Sequence, residues 1–143
     1  MNYLKRVQGL LVLLMPAFAA PMLTACGSDD DEPEASHPIV GVWKVVNIEF
    51  YNEATGTYSH NLYDSWYEKY AQGGTFEWGF SLKMTDVQGR GTWKITGNKL
   101  TIKYKSIPDG TSHEKDYTST LAGNQLVLIA IKDKWRYTYE RIP

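Results

Sequence analysis

From Ile39 onward, apolar and polar residues alternate with a period of two rather than 3.6, and no other feature restricts the chain's fold so strongly. Phe76, Trp78, Phe80, Leu82 and Met84 alternate with Glu77, Gly79, Ser81, Lys83 and Thr85. Leu100, Ile102 and Tyr104 alternate with Thr101, Lys103 and Lys105, and Trp135, Tyr137 and Tyr139 with Arg136, Thr138 and Glu140. Tyr117, Ser119 and Leu121, then Leu126, Leu128 and Ala130, continue the pattern. Successive side chains on a strand point to opposite faces, so such runs make sheets with one buried face. Gly97-Asn98, Pro108-Asp109-Gly110 and Ala122-Gly123-Asn124 supply tight-turn chemistry between runs. The pattern predicts strands at 41–50, 74–85, 90–96, 99–106, 113–121, 125–131 and 134–141. An eighth comes either near 56–60 or from a break of the 74–85 run at Gly79. In 61–72, Tyr63, Trp66, Tyr67 and Tyr70 fall at helical spacing, Asp64 can cap and Gly73-Gly74 can terminate, which predicts one short helix. An antiparallel meander of seven or eight strands removes its edges by closing into an up-and-down barrel. A β-sandwich is the alternative that alternation and turn spacing leave open.

The N-terminal segment has a different grammar. Lys5 and Arg6 precede an apolar stretch from Leu10 to Ala25 that Pro16 and Pro21 interrupt, the layout of a secretory signal peptide over residues 1–25. Leu23-Thr24-Ala25-Cys26 resembles the lipobox of bacterial lipoproteins, an apolar residue and two small ones before the cysteine that is acylated. One acyl chain binds a membrane only marginally, at roughly 0.8 kcal/mol per buried CH₂, and the resemblance implies several chains on Cys26. Cys26 is the chain's one cysteine, which excludes an internal disulfide and a thiolate metal cluster. Residues 26–38 read as an acidic tether, extended by like-charge repulsion in Ser28-Asp29-Asp30-Asp31-Glu32. The acidic run resembles the export signal of Bacteroidota surface lipoproteins, which implies a surface-exposed outer-membrane location. Residues 37–143 hold 13 Lys plus Arg against 11 Asp plus Glu with interleaved signs, so no basic stripe for nucleic acid is present.

Gly41-Val42-Trp43-Lys44 opens the folded part, and its Gly-x-Trp start resembles the lipocalin superfamily. In that superfamily the tryptophan plugs one end of the barrel and an arginine from the last strands packs across its face. Arg141 is the best match here, with Arg136 second. The run Gly91 to Ile102 (GTWKITGNKLTI) is similar to the central hairpin of short lipocalin-like domains of Bacteroidota lipoproteins. So is Leu121 to Leu128 (LAGNQLVL), leading into Tyr137-Thr138-Tyr139-Glu140-Arg141. The resemblance covers residues 39–143 and implies a small lipocalin-like barrel domain; the aromatic stretch 51–72 departs from it.

No nucleophile elbow, P-loop, dinucleotide fingerprint or His-Glu-x-x-His is present, so no enzyme and no cofactor is expected. Three scattered histidines, His37, His60 and His113, make no metal site. Asp64, Glu68 and Glu77 could in principle pair for glycoside hydrolysis, but a solvated helix face accounts for Asp64 and Glu68. Ten of the 19 aromatic residues fall between 50 and 80. Tyr and Trp offer flat apolar faces with polar edges, suited to a small apolar or amphipathic ligand. Phe76, Trp78 and Phe80 are assigned to the core. Tyr63, Trp66, Tyr67 and Tyr70 are the candidate ligand residues near the barrel entrance, joined by Trp78. The expected function is a non-enzymatic binding domain on a lipid-anchored envelope lipoprotein. The alternative is a filled barrel that binds a protein or glycan partner through its loops.

Overall fold

The computed structural model describes residues 36–60 and 65–143, so Leu23, Thr24, Ala25, Cys26, Tyr63 and Asp64 lie outside the described residues. Nine strands form one antiparallel sheet: β1 (Gly41–Asn52), β2 (Thr57–His60), β3 (Tyr67–Tyr70), β4 (Thr75–Gly79), β5 (Val87–Thr96), β6 (Lys99–Ser106), β7 (Ser112–Ala122), β8 (Gln125–Ala130) and β9 (Arg136–Ile142). β1 pairs with β9 from Val42↔Ile142 to Glu49↔Arg136, and this contact closes the sheet. β3 and β2 share the opposite edge of β1, β3 along Gly41–Lys44 and β2 along Glu49–Asn52. The result is a closed eight-stranded up-and-down barrel, with β2 folded against the upper part of β1. Closure through β1 and β9 removes the sandwich alternative.

Local chemistry explains the turns. Gly97-Asn98 joins β5 to β6 and Gly123-Asn124 joins β7 to β8, each a two-residue connection with its glycine at positive φ (61° and 57°). Such turns match the twist of the strands they connect. The β-bulge between Val45 and Asn47 explains why the buried positions of β1 run Trp43, Val45, then Ile48 rather than in strict alternation.

The meander puts the turns 71–74, 97–98 and 123–124 at one end and the loops 53–56, 80–86, 107–111 and 131–135 at the other. Toward the first end, Ile39, Trp43, Val45, Leu100, Leu126 and Leu128 are all buried to 1% exposure or less. Burying each such aliphatic side chain contributes about 1.5–3 kcal/mol. Trp43 donates from Nε1 to the Ile39 carbonyl at 2.8 Å, and the Arg141 guanidinium lies 4.3 Å from the Trp43 ring centroid. Arg141 also donates from Nη1 to the Val40 carbonyl at 2.8 Å and from Nη2 to the Pro38 carbonyl. Gly41 (φ 149°) leaves room for this fork, since a Cβ there would lie 2.6 Å from Arg141 Nη1. Arg136, the second match, sits elsewhere: it forms a bidentate pair with Glu49 at 2.6 Å and covers the Tyr58 ring at 3.9 Å. The pair holds the Glu49 carboxyl below its ordinary value. His37 and Pro38, read from sequence as the end of the tether, pack on the barrel, with His37 against the Trp93 ring at 6.0 Å.

Two expectations need correction. The helix predicted over 61–72 is absent among the described residues; Tyr67–Tyr70 is strand β3, paired with β1 on one side and β4 on the other. Trp66, Glu68 and Tyr70 also fit period two, and the vacant edge of β1 decided between two spacings the local sequence allowed. The 74–85 run breaks at Gly79, one of the alternatives the sequence left open, at a bulge where a Cβ would overlap the Asp86 carbonyl, and residues 80–86 beyond it are loop rather than strand. Beyond it Met84 adopts φ 51° in a turn. Phe80, assigned to the core, is therefore 52% exposed, and Leu82 is 46% exposed.

Candidate functional site

The interior is packed toward the Trp43 end and hollow toward the other. A cavity of about 300 Å³ lies there, its wall carrying the aromatic side chains of Trp66, Phe76, Trp78, Tyr104, Tyr117, Tyr137 and Tyr139. Exposed Phe80 and Lys115 stand at its rim, the Lys115 ammonium 5.8 Å from the Tyr104 ring centroid. Two glycines of β5 sit behind the Trp78 and Tyr104 side of the wall. A Cβ on Gly89 would lie 2.8 Å from Trp78 Cδ1 and 2.9 Å from Tyr104 Cδ2, so both side chains close over bare β5 backbone. Gly91, one inward position further on, is paired with Phe76 and Tyr104 on its two flanks.

At the floor is Glu68, 7% exposed and the buried charged side chain among the described residues. Its Oε1 accepts from Tyr139 Oη at 2.8 Å and Trp66 Nε1 at 3.1 Å, and its Oε2 accepts from Tyr70 Oη at 2.6 Å. Burial pushes the Glu68 carboxyl above its ordinary value, against the pull of those three hydrogen bonds and of the Lys115 charge. Burial, reinforced by the Glu68 charge, likewise raises the Tyr70, Tyr139 and Tyr117 hydroxyls, and Tyr137 is pushed up to about 12. The interior tyrosines therefore remain hydrogen-bond donors across the physiological range.

The structure brings Trp66 and Trp78 into the cavity wall. Tyr70, expected near an entrance, is fully buried below Glu68, edge-on to Trp93 at 5.9 Å. Tyr67 occupies the outward register of β3 and takes no part in the cavity wall. The reading of Glu68 as a solvated helix residue is overturned, because β3 points residues 66, 68 and 70 inward. Glu77 faces the outside and pairs with Arg90 at 2.8 Å, so the barrel wall separates it from Glu68 and these two carboxylates do not pair; Asp64 lies outside the described residues. His113 is exposed and bonded to Thr111. Sequence reasoning missed Glu68, Tyr117, Tyr137 and Tyr139; for the last three the signal was the period-two register itself.

A pH dependence follows from Glu68. The groups facing it are Trp66 and Tyr70, Tyr139 from β9, and Tyr117 and Lys115 from β7. The folded carboxyl keeps its proton to higher pH than the unfolded one, which titrates at about 4.3. Between the two values the folded state binds more protons, so stability falls as pH rises through that window. In Glu68→Gln this segment of the profile should flatten, as read by urea unfolding at stepped pH; superimposable profiles would refute it.

A search of the curated proteins found none that matches. Among solved structures, the crystal structure of a mutant of the fluorescent protein UnaG matches with a TM-score of 0.40 and 18% identity. That match covers 73% of this chain and 96% of the other. The family model described as a lipocalin-like domain matches residues 39–128, more than half of the chain. With a closed up-and-down barrel around an aromatic cavity and this match, the chain belongs to the lipocalin-like domain family.

Proposed function

We propose that this protein is a lipid-anchored cell-envelope lipoprotein whose barrel binds a small apolar or amphipathic ligand without performing chemistry on it. The cavity carries this reading: about 300 Å³, walled by aromatic side chains, with one polar cluster at its floor. That size and lining match the lower end of small-molecule sites. The rim supports it, since Phe80, Ile107 and Ile131, each 52% exposed, come from three loops at the same end and give an apolar ligand a favourable approach. Glu68, whose acceptors are mostly occupied by tyrosine and tryptophan, is the one acid among the described residues of the cavity wall, which suits recognition better than catalysis.

Native mass spectrometry of the purified protein should show a bound small molecule, or after delipidation a one-to-one complex with the neutral probe N-phenyl-1-naphthylamine. A bare mass and no probe binding would remove the ligand-binding reading in favour of partner contacts through the exposed loops. Anchoring rests on the sequence at Cys26. Metabolic labelling with an alkyne fatty acid should tag the wild type and not Cys26→Ser, and Cys26→Ser should leave the membrane fraction. Protease treatment of intact cells should digest the wild type if the acidic run directs it to the surface; full protection would place the domain inside the outer membrane.

A further inference from the structure

The cavity floor presents a buried carboxylate that the Lys115 charge reaches only from the rim. Each hydrogen bond to Glu68 comes from a neutral donor, Trp66, Tyr70 or Tyr139, and among the described residues Glu68 forms no ion pair. A charge withdrawn from water is ordinarily matched by an opposite charge. Oε2 accepts one hydrogen bond, from Tyr70, which leaves an acceptor position unused. Around it stand the rings of Trp66, Phe76, Trp78, Tyr117 and Tyr137. Aromatic faces attract cations, tryptophan most strongly, and more so where water is excluded.

We infer that the ligand of this cavity is a protonated amine on an apolar body, its ammonium seated against Glu68 and its apolar part directed toward Phe80. The inference rests on the ligand-binding reading of the barrel and adds the chemistry of the ligand's polar end. An anionic amphiphile, with its head at Lys115, is the competing chemistry. The geometry favours the cation. Lys115 is exposed at the rim, where water and salt screen its field within about 8 Å. Glu68, 7% exposed at the floor, acts in surroundings of lower dielectric than the rim, where the same charge is felt several-fold more strongly. An anion entering the cavity would move toward a like charge.

The test is a head-group series on the full-length protein: octylammonium, octanol and octanoate competing against N-phenyl-1-naphthylamine. Octylammonium should displace the probe at a concentration at least about tenfold lower than octanol, with octanoate weakest, a difference of about 1.4 kcal/mol. In Glu68→Gln, with each competitor measured against that variant's own affinity for the probe, octylammonium should fall to within about twofold of octanol. Lys115→Gln should keep the preference for the amine. Should Glu68→Gln not fold, the wild type alone decides: octylammonium affinity should rise with pH as Glu68 loses its proton, while octanol affinity stays level. Octanoate binding best, with that preference lost in Lys115→Gln, would overturn the inference in favour of an anion. Equal displacement by all three would overturn it in favour of a carboxyl that only orders its neighbours. In both cases the neutral probe still binds and the ligand-binding reading survives; failure of the probe itself to bind removes both.

Discussion

Replacing Trp43 by alanine should destabilise the protein by about 3–5 kcal/mol, the range for deleting a fully buried aromatic side chain from a packed core. Three losses coincide there. The cavity left by the indole lies among side chains that the barrel wall fixes in place, so collapse around it is limited. The Ile39 carbonyl, on a residue that is 1% exposed, loses the Nε1–H that it accepts at 2.8 Å. The Arg141 guanidinium loses the face it covers at 4.3 Å, an interaction of about 0.5–2 kcal/mol, while its bonds to Val40 and Pro38 remain. Urea unfolding followed by far-UV circular dichroism measures the effect without relying on the altered tryptophan signal. A loss below about 1 kcal/mol would mean that Trp43 does not plug this end of the barrel. Arg141→Lys separates charge from shape: it keeps the cation, loses the planar fork, and should cost less than the tryptophan change.

Gly91→Ala should destabilise by about 3 kcal/mol or more, at the top of the range for overpacking. The added methyl has nowhere to go. Its Cβ would overlap the Lys103 carbonyl oxygen and lie 2.6 Å from Tyr104 Cα, both backbone atoms of the neighbouring strand. Rotating a side chain cannot relieve that contact, so β5 and β6 must separate where Gly91 pairs with Tyr104. Gly89→Ala offers the contrast. Its closest neighbours are the Trp78 and Tyr104 rings, which can tilt into the cavity, so stability should fall less while affinity for the neutral probe drops. Denaturation and probe titration on both variants test the pair. A Gly91→Ala protein within about 1 kcal/mol of wild type would show that the close approach of β5 and β6 is not required.

The legible part of the fold is the part governed by neighbours in the chain. Gly97-Asn98 and Gly123-Asn124 could be placed because a two-residue hairpin needs positive φ, a preference of the residues themselves. The register of β6 to β9 followed from alternation, because inverting it would expose Leu100, Leu126, Leu128 and Tyr139 together. Residues 65–72 were not legible in this way. Trp66, Tyr67 and Tyr70 satisfy a helical spacing and Trp66, Glu68 and Tyr70 a strand spacing, and nothing local separates them. Glu68 was discounted for a related reason: a carboxylate is almost never buried, and only the hydroxyls of Tyr70 and Tyr139 and the indole of Trp66 make its burial tolerable. Tyr139 is 71 residues away in the chain.

By itself, the sequence determined a meander of antiparallel strands, the chemistry of its tight turns, which face of most strands turns inward, and the resemblance at Gly41, Trp43 and Arg141. These rest on dihedral preference and on the two-residue repeat of a strand, both local. Only the tertiary structure decided that β1 and β9 close the sheet, that 67–70 is a strand, that the 74–85 run stops at Gly79, and that the interior is hollow around Glu68. Each of those depends on residues far apart in the chain meeting across the barrel, as where bare backbone at Gly89 lets the Trp78 and Tyr104 side chains close over β5.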